Sequence, residues 1–166
     1  LKDMAYVKHD TAQYRKLLDR IIEDAPERYA RASSGRCSFS FTPRPEKSFN
    51  RGATDYFVNG RQADIGAFDA PGFAGTASGV VTKRGADWFD VDSAEEFANG
   101  DGVSYLGRGR KIAGLRINTA ERRGAHWRLF PNEMPDDPEQ LKPGTEIHRN
   151  RDQAFERLLE KDSAER

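Results

Sequence analysis

Fourteen consecutive residues, Ser48-Phe49-Asn50-Arg51-Gly52-Ala53-Thr54-Asp55-Tyr56-Phe57-Val58-Asn59-Gly60-Arg61, bring two arginines, two asparagines and three aromatics into one irregular segment. Guanidinium forks grip phosphates, and exposed aromatic faces let bases stack. A simple turn needs the glycines but not the arginines. Asn50, Arg51, Tyr56 and Arg61 are therefore candidate contacts for RNA or for another domain. Upstream, in the loop Arg31 to Arg36, Ser33-Ser34-Gly35-Arg36 offers backbone amides and a guanidinium that can cradle a phosphate, and Arg31 is a further candidate contact. A structural alternative stands beside this reading. Phe49, Tyr56 and Phe57 would plug a barrel opening, and Arg51 would pair with a buried carboxylate. For Arg51 and Arg61 the two readings are level.

Hydrolytic chemistry finds little here. It needs a nucleophile or a metal-bound water beside a positioned base. The three histidines, His9, His126 and His148, form no His-Glu-x-x-His run. His126 and His148 are expected on the surface of a barrel. The single Cys37 excludes an internal disulfide and cannot by itself build a zinc or iron–sulfur site. Arg36 beside it can lower its pKa, although an ordinary loop residue is the expected role. Asn99-Gly100-Asp101-Gly102 offers oxygens for a cation, yet the same residues build a tight turn, which is the expectation. Asp136-Asp137 sits in a proline-rich loop and is expected to be solvated.

Charge is balanced in sum and uneven in place. There are 27 Lys and Arg against 27 Asp and Glu. Arg28 to Arg61 holds seven cations against Glu46 and Asp55, and Arg108 to Arg128 holds seven against Glu121. Asp87 to Asp101 holds six acids and no cation. Such asymmetry suits a polyanionic partner on one side, unless the blocks face each other and pair. Of the 27 cations only eight are lysine. Arginine bias fits nucleic-acid contact, and it fits a GC-rich genome as well.

These side chains need a scaffold. The length suits one domain with an attached helical arm, and ten Phe, five Tyr and two Trp can build a modest core. Asp3 predicts a helix cap, and Val7, Thr11, Tyr14, Leu18 and Ile21 predict an apolar stripe, widened by Leu17 and Ile22, on a helix ending near Pro26. That stripe must pack on something, for which a missing domain is the candidate. Pro43 to Phe49 predicts a short helical turn. Six short runs then predict strands: 78–83, 87–92, 102–106, 111–118 with Gly114 as a bulge, 126–130 and 145–149. Such spacing argues for a small, mainly β fold, a six-stranded antiparallel β-barrel. Asp152 to Lys161 predicts a closing helix with Phe155, Leu158 and Leu159 on its apolar face. The expected division is residues 1–62 as helix and connector, packed on the missing domain, and 63–166 as barrel with its helix. No apolar run reaches membrane-span length and no signal peptide is visible, so no membrane partner and a cytoplasmic setting are expected. A start at Leu1 rather than Met suggests a piece of a longer protein.

Phe49-Asn50-Arg51-Gly52, followed by Thr54, Tyr56 and Gly60, resembles the signature that follows the catalytic domain in the collagenase-like peptidase family. Leu1-Lys2-Asp3, Tyr6-Val7 and Tyr14-Arg15, the run Tyr29 to Arg36, the Gly100-Asp101-Gly102 turn, Pro143-Gly144, Arg149-Asn150 and Asp152 extend the likeness over nearly the whole chain. The likeness is closest to a subgroup similar to ribosomal-RNA 5-hydroxycytidine synthases. One departure is Ala53, where many relatives carry phenylalanine, and the Lys-Ile-Glu-Gly-Arg segment that precedes the helix in the family is absent. The resemblance implies a non-catalytic accessory region of a larger enzyme, with active site and iron–sulfur ligands upstream and no cofactor in this piece. It implies a barrel like that of translation factors, and a part in positioning ribosomal RNA for cytidine hydroxylation. Two other readings stay open: an accessory domain of a collagenase-like protease that binds extended polypeptide at an open barrel edge, and a purely structural clamp on the catalytic domain.

Overall fold

A computed structural model describes residues 3–50, 57–61, 73–161 and 164–165. The chain forms two compact units, one of Leu1–Ser48 with Ala154–Arg166, the other of Phe49–Gln153.

The first unit is built on helix α1, Met4–Asp24. It starts where expected, because the Asp3 carboxylate accepts the Ala5 N–H at 2.9 Å and so satisfies one of the free amides of the first turn. Its buried side differs from the expectation. His9 and Ala12 are fully buried, and with Ala5 they pack among Phe39, Phe41, Phe155 and Leu159. Val7, Tyr14, Leu17, Leu18 and Ile21 lie on the exposed side, with Tyr14 69% and Leu18 51% accessible. The small residues fit the tight space within the unit, so the large apolar stripe is left outward. Strand β1, Ser38–Phe39, pairs antiparallel with β8, Ala164–Glu165. A single 3₁₀ turn at Pro45–Lys47 matches the predicted helical turn. Helix α2 spans Gln153–Glu160, with Phe155 and Leu159 supplying its contribution to the small core.

The second unit is the predicted barrel. Strands β2 Thr76–Arg84, β3 Phe89–Asp92, β4 Gly102–Leu106, β5 Ile112–Arg123, β6 His126–Pro131 and β7 Glu146–Arg151 close in the order β2-β3-β6-β5-β4-β7. Every pairing is antiparallel, and β2 meets both β3 and β7. Closure removes the open edge that strand addition by a peptide requires. Alternation sets the interior: Trp127, Leu129 and Pro131 of β6 point in while their neighbours point out. Val81, Phe89, Val91, Phe97, Val103, Ile117, Leu129, Leu141 and Ile147 fill the core. Each such side chain contributes about 1.5–3 kcal/mol by leaving water. The predicted bulge at Gly114 is not one, since Gly114 pairs regularly with Ser104. The register of β5 shifts instead between Ile117 and Thr119, where it meets β6. Gly75 enters β2 with φ +98°, and a Cβ there would come within 2.4 Å of the Arg149 carbonyl, so only glycine fits.

Arg84 anchors the loop between β6 and β7. Its guanidinium donates to the carbonyls of Asp137 at 2.9 Å, Gln140 at 2.6 Å and Pro135 at 2.7 Å, and so holds the loop between β6 and β7. Among the described residues no helix is long and apolar enough to cross a membrane.

Candidate nucleic-acid contact surface

In the first unit Arg31 and Arg36 have different tasks. Arg31 donates to Asp19 Oδ1 at 2.6 Å and to the Gly35 carbonyl at 2.5 Å, which ties its loop to α1. Asp19 also accepts from Arg15, one turn back on the helix. That hydrogen bond holds the Asp19 carboxyl below its ordinary range, against some desolvation and with help from Arg31. Arg36 is exposed and has no ion pair among the described residues. A phosphate arriving at this loop would meet Arg36 as a free fork and Arg31 as a fork already in use.

In the second unit Arg61 is exposed, just past a turn in which the Gly60 N–H donates to the Phe57 carbonyl. Asn50 is half-buried. Arg51 and Tyr56 lie outside the described residues. Phe49 is 58% and Phe57 46% accessible, so these two do not plug a barrel opening as the structural alternative expects. The interior is filled by other aromatics, Phe89 and Trp127 from the strands and Phe97 from the loop between β3 and β4. Phe49 instead tilts against Phe73, with ring centroids 5.8 Å apart.

The barrel cations divide in the same way. Arg128 forms a bidentate pair with Asp90, 2.8 and 2.9 Å, and lies 3.5 Å above the Trp88 ring. This bond depresses the Asp90 carboxyl in spite of its burial. Arg149, buried beside Phe97, donates to Glu95 at 2.7 Å and Asp152 at 3.1 Å, with Asp101 at 3.6 Å. Here the acidic block of the sequence does face cations and pair with them. By contrast Arg108, Lys111 and Arg116 project from the β4–β5 hairpin, and their one ion pair among the described residues is Arg108 to Asp137 at 3.9 Å.

The other candidates settle into structural parts. His9 is buried, and its Nε2 accepts the Arg44 N–H at 2.5 Å. The proton therefore sits on Nδ1, which donates to Ser48 Oγ at 2.7 Å. Burial pushes its pKa below the usual value, against the pull of Asp10 and Glu46. His126 and His148 sit on barrel strands, 3.7 Å from Asp90 and 3.9 Å from Glu146. Asn99 to Gly102 is the expected turn. Asn99 Oδ1 accepts the Ala120 N–H, and the buried Asp101 carboxylate accepts the N–H groups of Ala98 and Gln153. Burial still pushes that carboxyl above its usual range, with the two amides and Arg149 acting the other way. Among the described residues no group of His, Cys, Asp and Glu is arranged to hold a metal ion. Cys37 is exposed. Asp137 is partly ordered by its loop: Oδ1 accepts the Glu139 N–H at 3.0 Å.

Sequence reasoning did not find Arg84, Arg128 or Arg149 as structural arginines. Only one signal was available, the alternation that makes Arg149 an inward residue of β7 beside Ile147.

No family model matches the chain. Over 166 residues the chain is 49% identical to the 23S rRNA 5-hydroxycytidine C2501 synthase of Escherichia coli (strain K12), a match covering 99% of this chain and 25% of that protein. The chain thus spans about a quarter of the length of the curated relative it matches.

Proposed function

We propose that this chain is a non-catalytic accessory region that helps position ribosomal RNA for cytidine hydroxylation by a longer protein of the collagenase-like group, in the cytoplasm. The observation that carries the reading is the 49% identity, over 99% of the chain, to an enzyme named for 23S rRNA hydroxycytidine synthesis. The exposed cations support it. Arg36 and Arg61 are exposed, while Arg31, Arg84, Arg128 and Arg149 serve the fold. With Arg51 and Asn50, the exposed arginines would hold phosphates, and Tyr56 would stack on a base. The histidines with structural partners favour the non-catalytic half of the reading.

An iron–sulfur cluster belongs to this reading only outside the chain. Such clusters take several cysteine thiolates, and the sequence has Cys37 alone. Its residues do not fit the group, and no step here depends on it.

A second contribution rests on α1. Its outward Val7, Tyr14, Leu17, Leu18 and Ile21 form an apolar stripe along a 21-residue helix. This stripe would pack on the catalytic domain of the longer protein, as a clamp that also carries the RNA contacts. Polypeptide binding by strand addition has less support, since the barrel presents no open edge.

The test is substitution of Arg36, Arg51 and Arg61 by alanine. RNA affinity should fall, and its dependence on salt should flatten. Unchanged binding would remove these three residues from the contact surface.

A further inference from the structure

The β4–β5 hairpin carries cations that have few partners among the described residues. From Gly102 to Ala120 the sequence has Arg108, Arg110, Lys111 and Arg116 and no carboxylate. Leu106 pairs with Ile112, and the chain reverses through a short 3₁₀ turn at Arg108–Arg110. Gly109 makes the reversal possible, with φ +67° and open space where a Cβ would stand. Arg108 therefore stands at the outermost point of the hairpin, its side chain 86% accessible. Lys111 and Arg116 are exposed as well, and the Arg116 backbone N–H donates to Asn132 Oδ1 at 3.2 Å. The one carboxylate paired with these cations among the described residues, Asp137, is 3.9 Å from Arg108 and also accepts the Glu139 N–H.

The neighbouring cations behave differently. Arg84, Arg128 and Arg149 are each held by two or three acceptors. Folding thus consumes those arginines, whereas among the described residues Arg108 has only the 3.9 Å pair to Asp137 and Lys111 and Arg116 have no ion pair. Like charges crowded at a glycine-bearing tip repel one another, and a polyanion relieves that repulsion. The base of the hairpin is rigid, because Val103, Tyr105 and Ile117 are buried in the core. Arg108 and Lys111 are therefore carried on a fixed support, which lowers the entropy lost on binding.

We propose that the β4–β5 hairpin is a phosphate-gripping finger for the sugar–phosphate backbone of RNA, with Arg108 and Lys111 as its main contacts and Arg116 behind them. This rests on the RNA reading above and adds a site separate from Arg36 and Arg61. Phosphate contacts position and do not read sequence, so the finger orients RNA without choosing the base.

The experiment compares the chain with R108A/K111A, and with K16A/R20A as a control that removes equal charge from exposed positions of α1. Fluorescence anisotropy with a labelled 23S ribosomal-RNA segment is read over a salt series, and tryptophan emission checks that the barrel is folded. Arg108→Gln/Lys111→Gln repeats the test with side-chain bulk largely kept. The hairpin pairs should bind about tenfold more weakly at low salt, with the salt slope smaller by about 1.4, two contacts at about 0.7 each. The control should change affinity less than about twofold. If the unsubstituted chain binds and the hairpin variants bind equally well, the finger is wrong and the RNA reading stands. If the unsubstituted chain does not bind RNA at low salt, both are wrong.

Discussion

In the barrel, Phe89, Val91, Val103, Ile117, Leu129, Leu141 and Ile147 are sealed among themselves. In the helical unit, the comparable residues Val7, Leu17, Leu18 and Ile21 face outward, and a small core of Ala12, Phe41 and Leu159 holds the elements together. Polar residues are reversed to match. The helical unit buries a neutral histidine, whereas the barrel buries ion pairs that are almost fully satisfied. A unit with a closed core can supply a rigid binding surface. A unit that turns its apolar side outward is suited to dock on something larger.

The largest expected effect is Arg149→Ala in the barrel. It removes the guanidinium that Glu95, Asp101 and Asp152 share, and should cost about 3–5 kcal/mol. Denaturant unfolding followed by tryptophan emission measures it, since Trp88 and Trp127 both belong to the barrel unit. A loss under about 1 kcal/mol would show that the buried pairs are not what fixes this corner.

A matched pair of substitutions sharpens the comparison. Ile117→Ala should cost about 2–5 kcal/mol through lost burial and a cavity. Ile21→Ala on α1 should stay within about 0.5 kcal/mol, because Ile21 is 40% exposed. Equal losses at both sites would mean that the outward stripe of α1 is covered within the chain itself.

Acid should separate the two units. His9 titrates below its ordinary value when folded, so the unfolded chain binds its proton at higher pH. Between the two values the unfolded state holds more protons, and stability falls as pH falls below about 6.5. The helical circular-dichroism signal should therefore melt at lower temperature at pH about 5.5 than at about 7.5. Asp90 is depressed by Arg128, so its contribution to the barrel persists above the ordinary carboxylate range and is lost only in stronger acid. A barrel signal that weakened first would contradict this order.

The smallest effects concern the candidate arginines. Arg31→Ala breaks a partly exposed pair and should cost up to about 1 kcal/mol. Arg36→Ala should leave stability within about 0.5 kcal/mol.

The six strands were legible because alternation with turn residues at short intervals is a local signal. The Asp3 cap and the turn at Asn99 to Gly102 were legible for the same reason. The buried side of α1 was not. Its strongest apolar stripe points away from its own unit, and periodicity reveals a stripe without revealing what covers it. Arginine roles were the least legible: Arg36 and Arg31 look alike in sequence, yet Asp19, twelve residues from Arg31, decides which one is free. The clamp at Arg84 depends on three carbonyls more than fifty residues away. The expected plug failed at Phe49 and Phe57 because core volume is a property of the closed barrel.

The central proposal is that this chain grips ribosomal RNA through its exposed cations. The most direct measurement is fluorescence anisotropy of the unsubstituted chain with a labelled 23S ribosomal-RNA segment, from low to physiological salt. The account predicts binding whose logarithm falls steeply and linearly with the logarithm of salt concentration. No binding at low salt, or binding indifferent to salt, would contradict it and leave α1 docking as the role of the chain.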